Sequence, residues 1–248
     1  MLANDLHIKL QSEEFHFGDL LQNTWDVYSS RFGHYLPIIL FLAIPLGSLS
    51  IFFEDDIVAL IITATLGTIP GIMFITTTHQ IAYEGHTRAN TDASVAHATR
   101  LIIPCLIVNV LSALAMMLGF LLLIIPGIIV ANYLAFVLDA VVLRGQRGLA
   151  ALEYSYELIK DRWWRTFGTM FGIAVVVAIP LGVVTWLGEL YSPYLNIALT
   201  PFFSTFTTIA STLLFLNYDP SPPLSDPETG KKSDEIVLDV FDWNSVSG

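Results

Sequence analysis

LIIPCLIVNVLSALAMMLGFLLLIIPGIIVANYLAFVLDAVVL, residues 101–143, holds a single charged side chain, Asp139. An α-helix needs about 20 apolar residues to cross a hydrocarbon layer about 30 Å thick, so this stretch is long enough for two crossings with a turn between them. A surface helix of a soluble protein would show one apolar stripe and a charged remainder, and here no charged face exists.

Working outward, residues 32–53, 57–83, 166–188 and 190–218 also lack Asp, Glu, Lys and Arg, and each is long enough for one crossing. The expected fold is therefore all-α: a polytopic membrane protein of six transmembrane helices arranged as three hairpins. The spans are placed at about 33–53, 57–83, 101–118, 120–143, 166–188 and 194–217. Composition agrees, with 54% hydrophobic and 13% charged residues, against about 25% charged in ordinary soluble domains. Residues 1–16 form an N-terminal cytoplasmic segment without the short apolar stretch and cleavage site of a signal peptide. Residues 17–218 form the membrane domain, and 219–248 form an acidic tail.

Orientation follows from the basic residues. Lys9 and Arg31 precede span one; Arg88 and Arg100 separate spans two and three. Arg144, Arg147, Lys160, Arg162 and Arg165 separate spans four and five, and Lys231 and Lys232 follow span six. All 11 fall on one side of a six-span layout. The opposite turns carry only acids, Glu54, Asp55, Asp56 and Glu189, or no charge. Basic loops stay in the cytoplasm, so both ends are expected there, with the protein in a cell inner membrane. Trp25, Trp163 and Trp164 fall at the inner boundary and Trp186, Tyr191 and Tyr194 at the outer one, the levels that amphipathic rings prefer.

Short amphipathic segments precede the hairpins. In 17–31, Phe17, Leu20, Leu21, Trp25 and Tyr28 mark one helical face, with Asp19, Gln22, Asn23 and Asp26 largely opposite. In 148–161, Leu149, Leu152, Tyr156 and Ile159 oppose Glu153, Glu157, Lys160 and Asp161, and 91–100 is a weaker copy. Such helices suit the interface plane. Ala43-Ile44-Pro45-Leu46-Gly47 recurs as Ala178-Ile179-Pro180-Leu181-Gly182, and Ile69-Pro70-Gly71-Ile72 as Ile125-Pro126-Gly127-Ile128. Each Pro-Gly pair removes a backbone donor and loosens the helix. It marks either a kink or outer turn, or a broken helix lining a cavity. The turn between spans three and four falls at Gly119 or at Pro126-Gly127.

Several stretches resemble a known bacterial family. They are Leu121 to Val130 (LLLIIPGIIV), Val141-Val142-Leu143-Arg144-Gly145, Gly148 to Ser155 (GLAALEYS), Arg162-Trp163-Trp164-Arg165, and the opening Phe17-Gly18-Asp19-Leu20 with Trp25. Together they are similar to the membrane domain named after glycerophosphoryl diester phosphodiesterases and to its inner-membrane relatives, over about residues 15–218. The resemblance implies a six-helix integral membrane protein. It does not imply the activity in the family's name, which belongs to a separate soluble barrel whose His-Arg and Glu-Asn elements are missing from this sequence.

Ionisable residues inside a bilayer are functional candidates, because burying charge in hydrocarbon costs at least about 2.5–3.5 kcal/mol each. Two qualify: His79, after Thr76-Thr77-Thr78, and Asp139, about one turn before Arg144. Their positions relative to the Pro-Gly pairs put them at similar depth. A His79–Asp139 pair could relay a proton or bind a cation, or it could serve as a structural hydrogen bond. Ser204, Thr205, Thr208, Ser211 and Thr212 form a hydroxyl stripe on span six, and Gly168-x-x-x-Gly172 lies on span five. Small and hydroxylated residues in lipid mark helix packing, with a pore lining as the alternative.

No zinc-type His-x-x-x-His pair, phosphate loop, nucleophile elbow or nucleic-acid signature is present, and Cys105 is the only cysteine. No catalytic residue, cofactor or metal is expected, and no nucleic-acid partner. Residues 219–235 are Pro- and charge-rich, a linker without packing potential. Ile236, Leu238, Val240, Phe241 and Trp243, within 236–243, then form an apolar segment suited to docking on a soluble partner or on a neighbouring subunit of a membrane complex. The expected function is a non-enzymatic accessory, assembly or scaffold component; the alternative is a small permease or lipid-handling protein that uses a cavity between the hairpins.

Overall fold

The computed structural model describes residues 15–45, 57–84, 91–191 and 194–219. Among these residues all regular structure is helical: α1 (Phe17–Ser30), α2 (Phe32–Ile38, continuing as a π-helical turn Ile39–Ala43), α3 (Ile57–Glu84), α4 (Thr91–Leu122), α5 (Ile124–Tyr133), α6 (Val137–Arg144), α7 (Leu149–Ile159), α8 (Trp163–Tyr191) and α9 (Tyr194–Tyr218). Four stretches of the described residues are long and apolar enough to cross a membrane: Leu101–Leu122, Ile124–Arg144, Leu149–Gly188 and Asn196–Tyr218. Phe32–Ala43 is apolar but shorter.

The reversal between α4 and α5 lies at Leu123, whose backbone is extended. A Cβ on Gly119 would stand 3.0 Å from the Gly127 Cα, and one on Gly127 would stand 2.4 Å from a Phe120 ring carbon. Two glycines therefore let the arms close on each other, and the turn falls between the two sites read from the sequence, using a glycine from each. Pro126 sits in the first turn of α5, where backbone N–H groups have no partner within the helix to lose. Pro70 behaves differently: α3 continues through it without a break. The broken-helix reading of Pro70-Gly71 is therefore corrected to a continuous helix, stabilised by packing of α3 against α4, α6 and α9.

A real break does occur in the chain, at Leu134–Phe136 between α5 and α6. It carries neither proline nor glycine, so the sequence gives no local signal for it.

Residues 91–100 do not form a separate surface helix either. They are the opening turns of α4, with no breaker before Leu101.

α9 is the central element, packed against α8, α3 and α1. Its buried residues Ile209, Leu213, Leu214 and Phe215 meet Ile72 and Met73 of α3, Phe136 at the break, and Leu20 of α1 in one apolar core. The tip of the α4–α5 reversal is the opposite case: Leu121, Leu122, Leu123, Ile124 and Ile125 are all exposed. Such a surface suits acyl chains rather than water.

The amphipathic helices turn differently from the sequence expectation. On α1 the buried residues are Leu20, Asn23, Thr24 and Val27, while Phe17 and Trp25 are exposed. Asn23, expected opposite the buried face, is inside. The helix thus has three faces: one toward the bundle, an apolar one (Phe17, Leu21, Trp25, Tyr28), and a polar one (Asp19, Gln22, Asp26). On α7 the buried set is Ala151, Ser155 and Ile159, and Leu149 and Tyr156 are exposed. Small side chains face the bundle because they let helices approach closely, and bulky apolar ones lose nothing by facing lipid. Gly172 follows the same rule, since its missing Cβ makes room for the Phe17 ring. Gly168 has open space beside it and takes no part in such a contact.

Candidate functional site

Asp139 is the third residue of α6, just past the break, and it is buried. Its Oδ1 accepts a hydrogen bond from the Thr212 hydroxyl at 2.9 Å, and its Oδ2 one from Ser211 at 3.5 Å. The helix start adds favourable dipole charge to a carboxylate placed there. The hydroxyl stripe on α9 therefore divides. Ser204, Thr205 and Thr208 bond carbonyls of their own helix, whereas Ser211 and Thr212 reach across to Asp139.

His79 is buried on α3, which packs against both α6 and α9, so the helices bearing the two intramembrane candidates are neighbours. Immediately before it in the chain, the Thr78 hydroxyl donates to the Phe74 carbonyl at 2.7 Å and lies 3.0 Å from the Tyr35 phenol. With the single Thr78 proton used on Phe74, Tyr35 is the donor in that pair.

The break itself is closed from outside the span. Ser155, fully buried on α7, donates to the Tyr133 carbonyl at 2.7 Å and accepts from the Phe136 N–H at 3.2 Å. Asn132 reaches the Trp163 carbonyl at 3.2 Å. Unsatisfied backbone groups at membrane depth cost several kcal/mol each, and a nearby Ser is one of the few ways to satisfy them. α7 is thus a structural partner of the α5–α6 segment.

A second polar cluster gathers at the end of α9. Asp219, the first residue after the helix, takes hydrogen bonds from the Arg144 guanidinium and the Tyr154 phenol. The side chains of Arg144 and Asp219 are only 9% and 5% exposed, so this is a buried ion pair. Arg144 also lies over the Phe215 ring, and Arg162 and Arg165 lie over Tyr218 at 5.2 and 5.8 Å. Phe15 N–H donates to Asn217 Oδ1, and Arg165 donates to the Phe15 carbonyl. The linker placed at 219–235 therefore loses its first residue to the packed domain, and the domain extends back to Phe15, ahead of the expected start at 17. Sequence reasoning missed Asp219, Tyr154 and Ser155. One signal was present: Asp219 and Arg144 are opposite charges that each directly follow an apolar stretch.

Between the start of α5 and the start of α8 lies an open groove of about 800 Å³, lined by apolar residues on one side and by basic and aromatic ones on the other. No group of three or more His, Cys, Asp or Glu residues that could hold a metal occurs among the described residues. The docking candidates Ile236, Leu238, Val240, Phe241 and Trp243 lie outside the described residues.

No curated protein and no solved structure matches this chain. Residues 57–217, well over half of its length, match the family described as Domain of unknown function (DUF7847), and the chain belongs to that family.

Proposed function

We propose that this protein crosses a bacterial inner membrane six times, as three hairpins with both ends in the cytoplasm, and acts there as a non-enzymatic accessory or scaffold component of a larger complex. The observation that carries this reading is the use made of the Asp139 carboxylate. Its hydrogen bonds go to Ser211 and Thr212 and tie α6 to α9, which is work inside the fold. The similarity to the membrane domain of the glycerophosphoryl diester phosphodiesterase family supports the bacterial setting. The partners proposed are the bilayer, other membrane subunits, and a soluble cytoplasmic protein reached through Ile236–Trp243.

The test is co-purification in gentle detergent from native membranes, with full-length protein and a variant lacking 235–248. Truncation is expected to leave insertion intact and to remove at least one stoichiometric partner. A truncated protein that keeps every partner would end the docking idea. The lipid-handling alternative is favoured by one observation, the groove between α5 and α8, which is open rather than enclosed and carries isoleucines on one wall.

Topology has its own expected result. In a background with Cys105 replaced by Ser, cysteines at Asp55 and Tyr191 react with an impermeant thiol reagent added outside the cell. Cysteines at Arg88, Gly148 and Ser233 react only after lysis. Outside labelling at Gly148 would break the six-span layout.

A further inference from the structure

Two adjacent residues of α7 hold two different parts of the protein. Tyr154 donates to the Asp219 carboxylate, where the chain leaves α9. Ser155, fully buried, accepts from the Phe136 N–H and donates to the Tyr133 carbonyl, on the two sides of the break between α5 and α6. α7 also packs against both α5 and α6, so it lies across the break as a splint does. A packed helix shifts as one rigid piece, so the two holds share one support.

A second route joins the same two places. The Phe136 ring meets Phe215 at 5.9 Å and Tyr218 edge-on at 5.8 Å, and Tyr218 is the residue before Asp219. Tyr154 closes on the same Phe215 ring at 6.4 Å. The contacts therefore form a circuit: the break to α7 by hydrogen bonds, α7 to Asp219, and the end of α9 back to the break by aromatic packing. Packed interiors of this kind switch between discrete arrangements and do not deform by degrees. The Asp219 end is the one placed to move. Arg144 bonds Asp219 through Nε, but its buried Nη2 has no hydrogen-bond acceptor among the described residues. A buried donor left unpaired offsets part of what an ion pair contributes.

We propose that α7 is a latch that makes the seating of Asp219 and the closure of the α5–α6 break one event. Drawing Asp219 off Tyr154 and Arg144 frees α7 and opens the Ser155 bonds; opening the break unseats Asp219 in turn. Asp139, three residues beyond Phe136 and tied to Ser211 and Thr212, is the next contact in line. The latch gives a partner bound beyond residue 219 a way to act on the apolar bundle. That use rests on the docking reading above, whereas the coupling itself needs no partner.

The test is hydrogen exchange on the full-length protein in lipid nanodiscs, with no partner added. D219N is expected to speed exchange at the Phe136 amide about tenfold, a size usual for residues of one hydrogen-bond network. Coupling between two sites is reciprocal, so S155A should speed exchange at the Asp219 amide, which bonds the Phe215 carbonyl. Y154F leaves the Arg144–Asp219 pair in place and should give the same pattern at smaller size. T205V, which breaks a hydroxyl bond to Pro201 within α9, should leave both amides as in the parent. The amides of Ile209 and Leu213 report the core and should hold in every variant. If either the Phe136 amide in D219N or the Asp219 amide in S155A stays within about twofold of the parent, the contacts are independent and the latch is overturned. Equal acceleration at Ile209 and Leu213 overturns it as well, in favour of general destabilisation.

Discussion

Replacing Asp219 with Ala is expected to lower the unfolding free energy in mixed micelles by about 3–5 kcal/mol, the usual cost of removing one partner of a buried ion pair. The cause is less the lost attraction than the charge left behind. Arg144 would remain buried over Phe215 with its main anionic partner gone, and Tyr154 would lose its acceptor. Arg144→Met should also destabilise, by removing the guanidinium that the buried Asp219 carboxylate accepts from. The double variant Arg144→Met/Asp219→Leu should recover much of the loss, because an apolar pair of similar bulk carries no desolvation cost. Denaturant titration followed by tryptophan fluorescence measures all three. Single changes costing under about 1 kcal/mol would show a pair screened like a surface salt bridge.

The second large effect is expected at Ser155. Ser155→Ala removes one hydroxyl but takes the partner from two backbone groups, the part-buried Tyr133 carbonyl and the buried Phe136 N–H. Each unsatisfied buried group costs about 1–3 kcal/mol, so the substitution should destabilise far more than its size suggests. Ser155→Thr keeps the hydroxyl and should fall between Ala and the parent, because its extra methyl must enter a fully buried position. Hydrogen exchange at the Phe136 amide gives a local readout: protection should drop in the Ala variant while that of the α9 core is retained. Unchanged protection at Phe136 would show that the break does not depend on Ser155.

Both effects depend on contacts that join residues far apart in the chain. The long apolar helices, in contrast, were readable along it. Charge-free stretches marked where apolar helices lie, and Asp139 stood out because a lone carboxylate in such a stretch needs a reason. Gly119 and Gly127 were legible as candidates for the reversal, since only glycine lets two backbones come so close. The hydroxyl stripe on α9 was legible as a packing surface, and Ser211 and Thr212 do join two helices.

What the sequence could not supply was the rotation of each helix about its axis. In water, an apolar face must turn inward, so amphipathicity reveals the buried side. In a bilayer, lipid is as apolar as leucine, so an apolar face can turn either way and small or polar side chains settle which surface packs. That is why Phe17 and Trp25 face outward while Asn23 and Thr24 face in, and why α7 buries Ala151 and Ser155 rather than Leu149 and Tyr156. The break at Leu134–Phe136 was hidden for a related reason. No local residue causes it, and it persists because Ser155, nineteen positions further along, satisfies the Phe136 N–H that the break exposes. Hydropathy alone determined which stretches are long and apolar enough to cross a membrane, whereas the tertiary structure decided which of their residues face one another, because hydrogen bonds and close packing distinguish between neighbours that lipid does not.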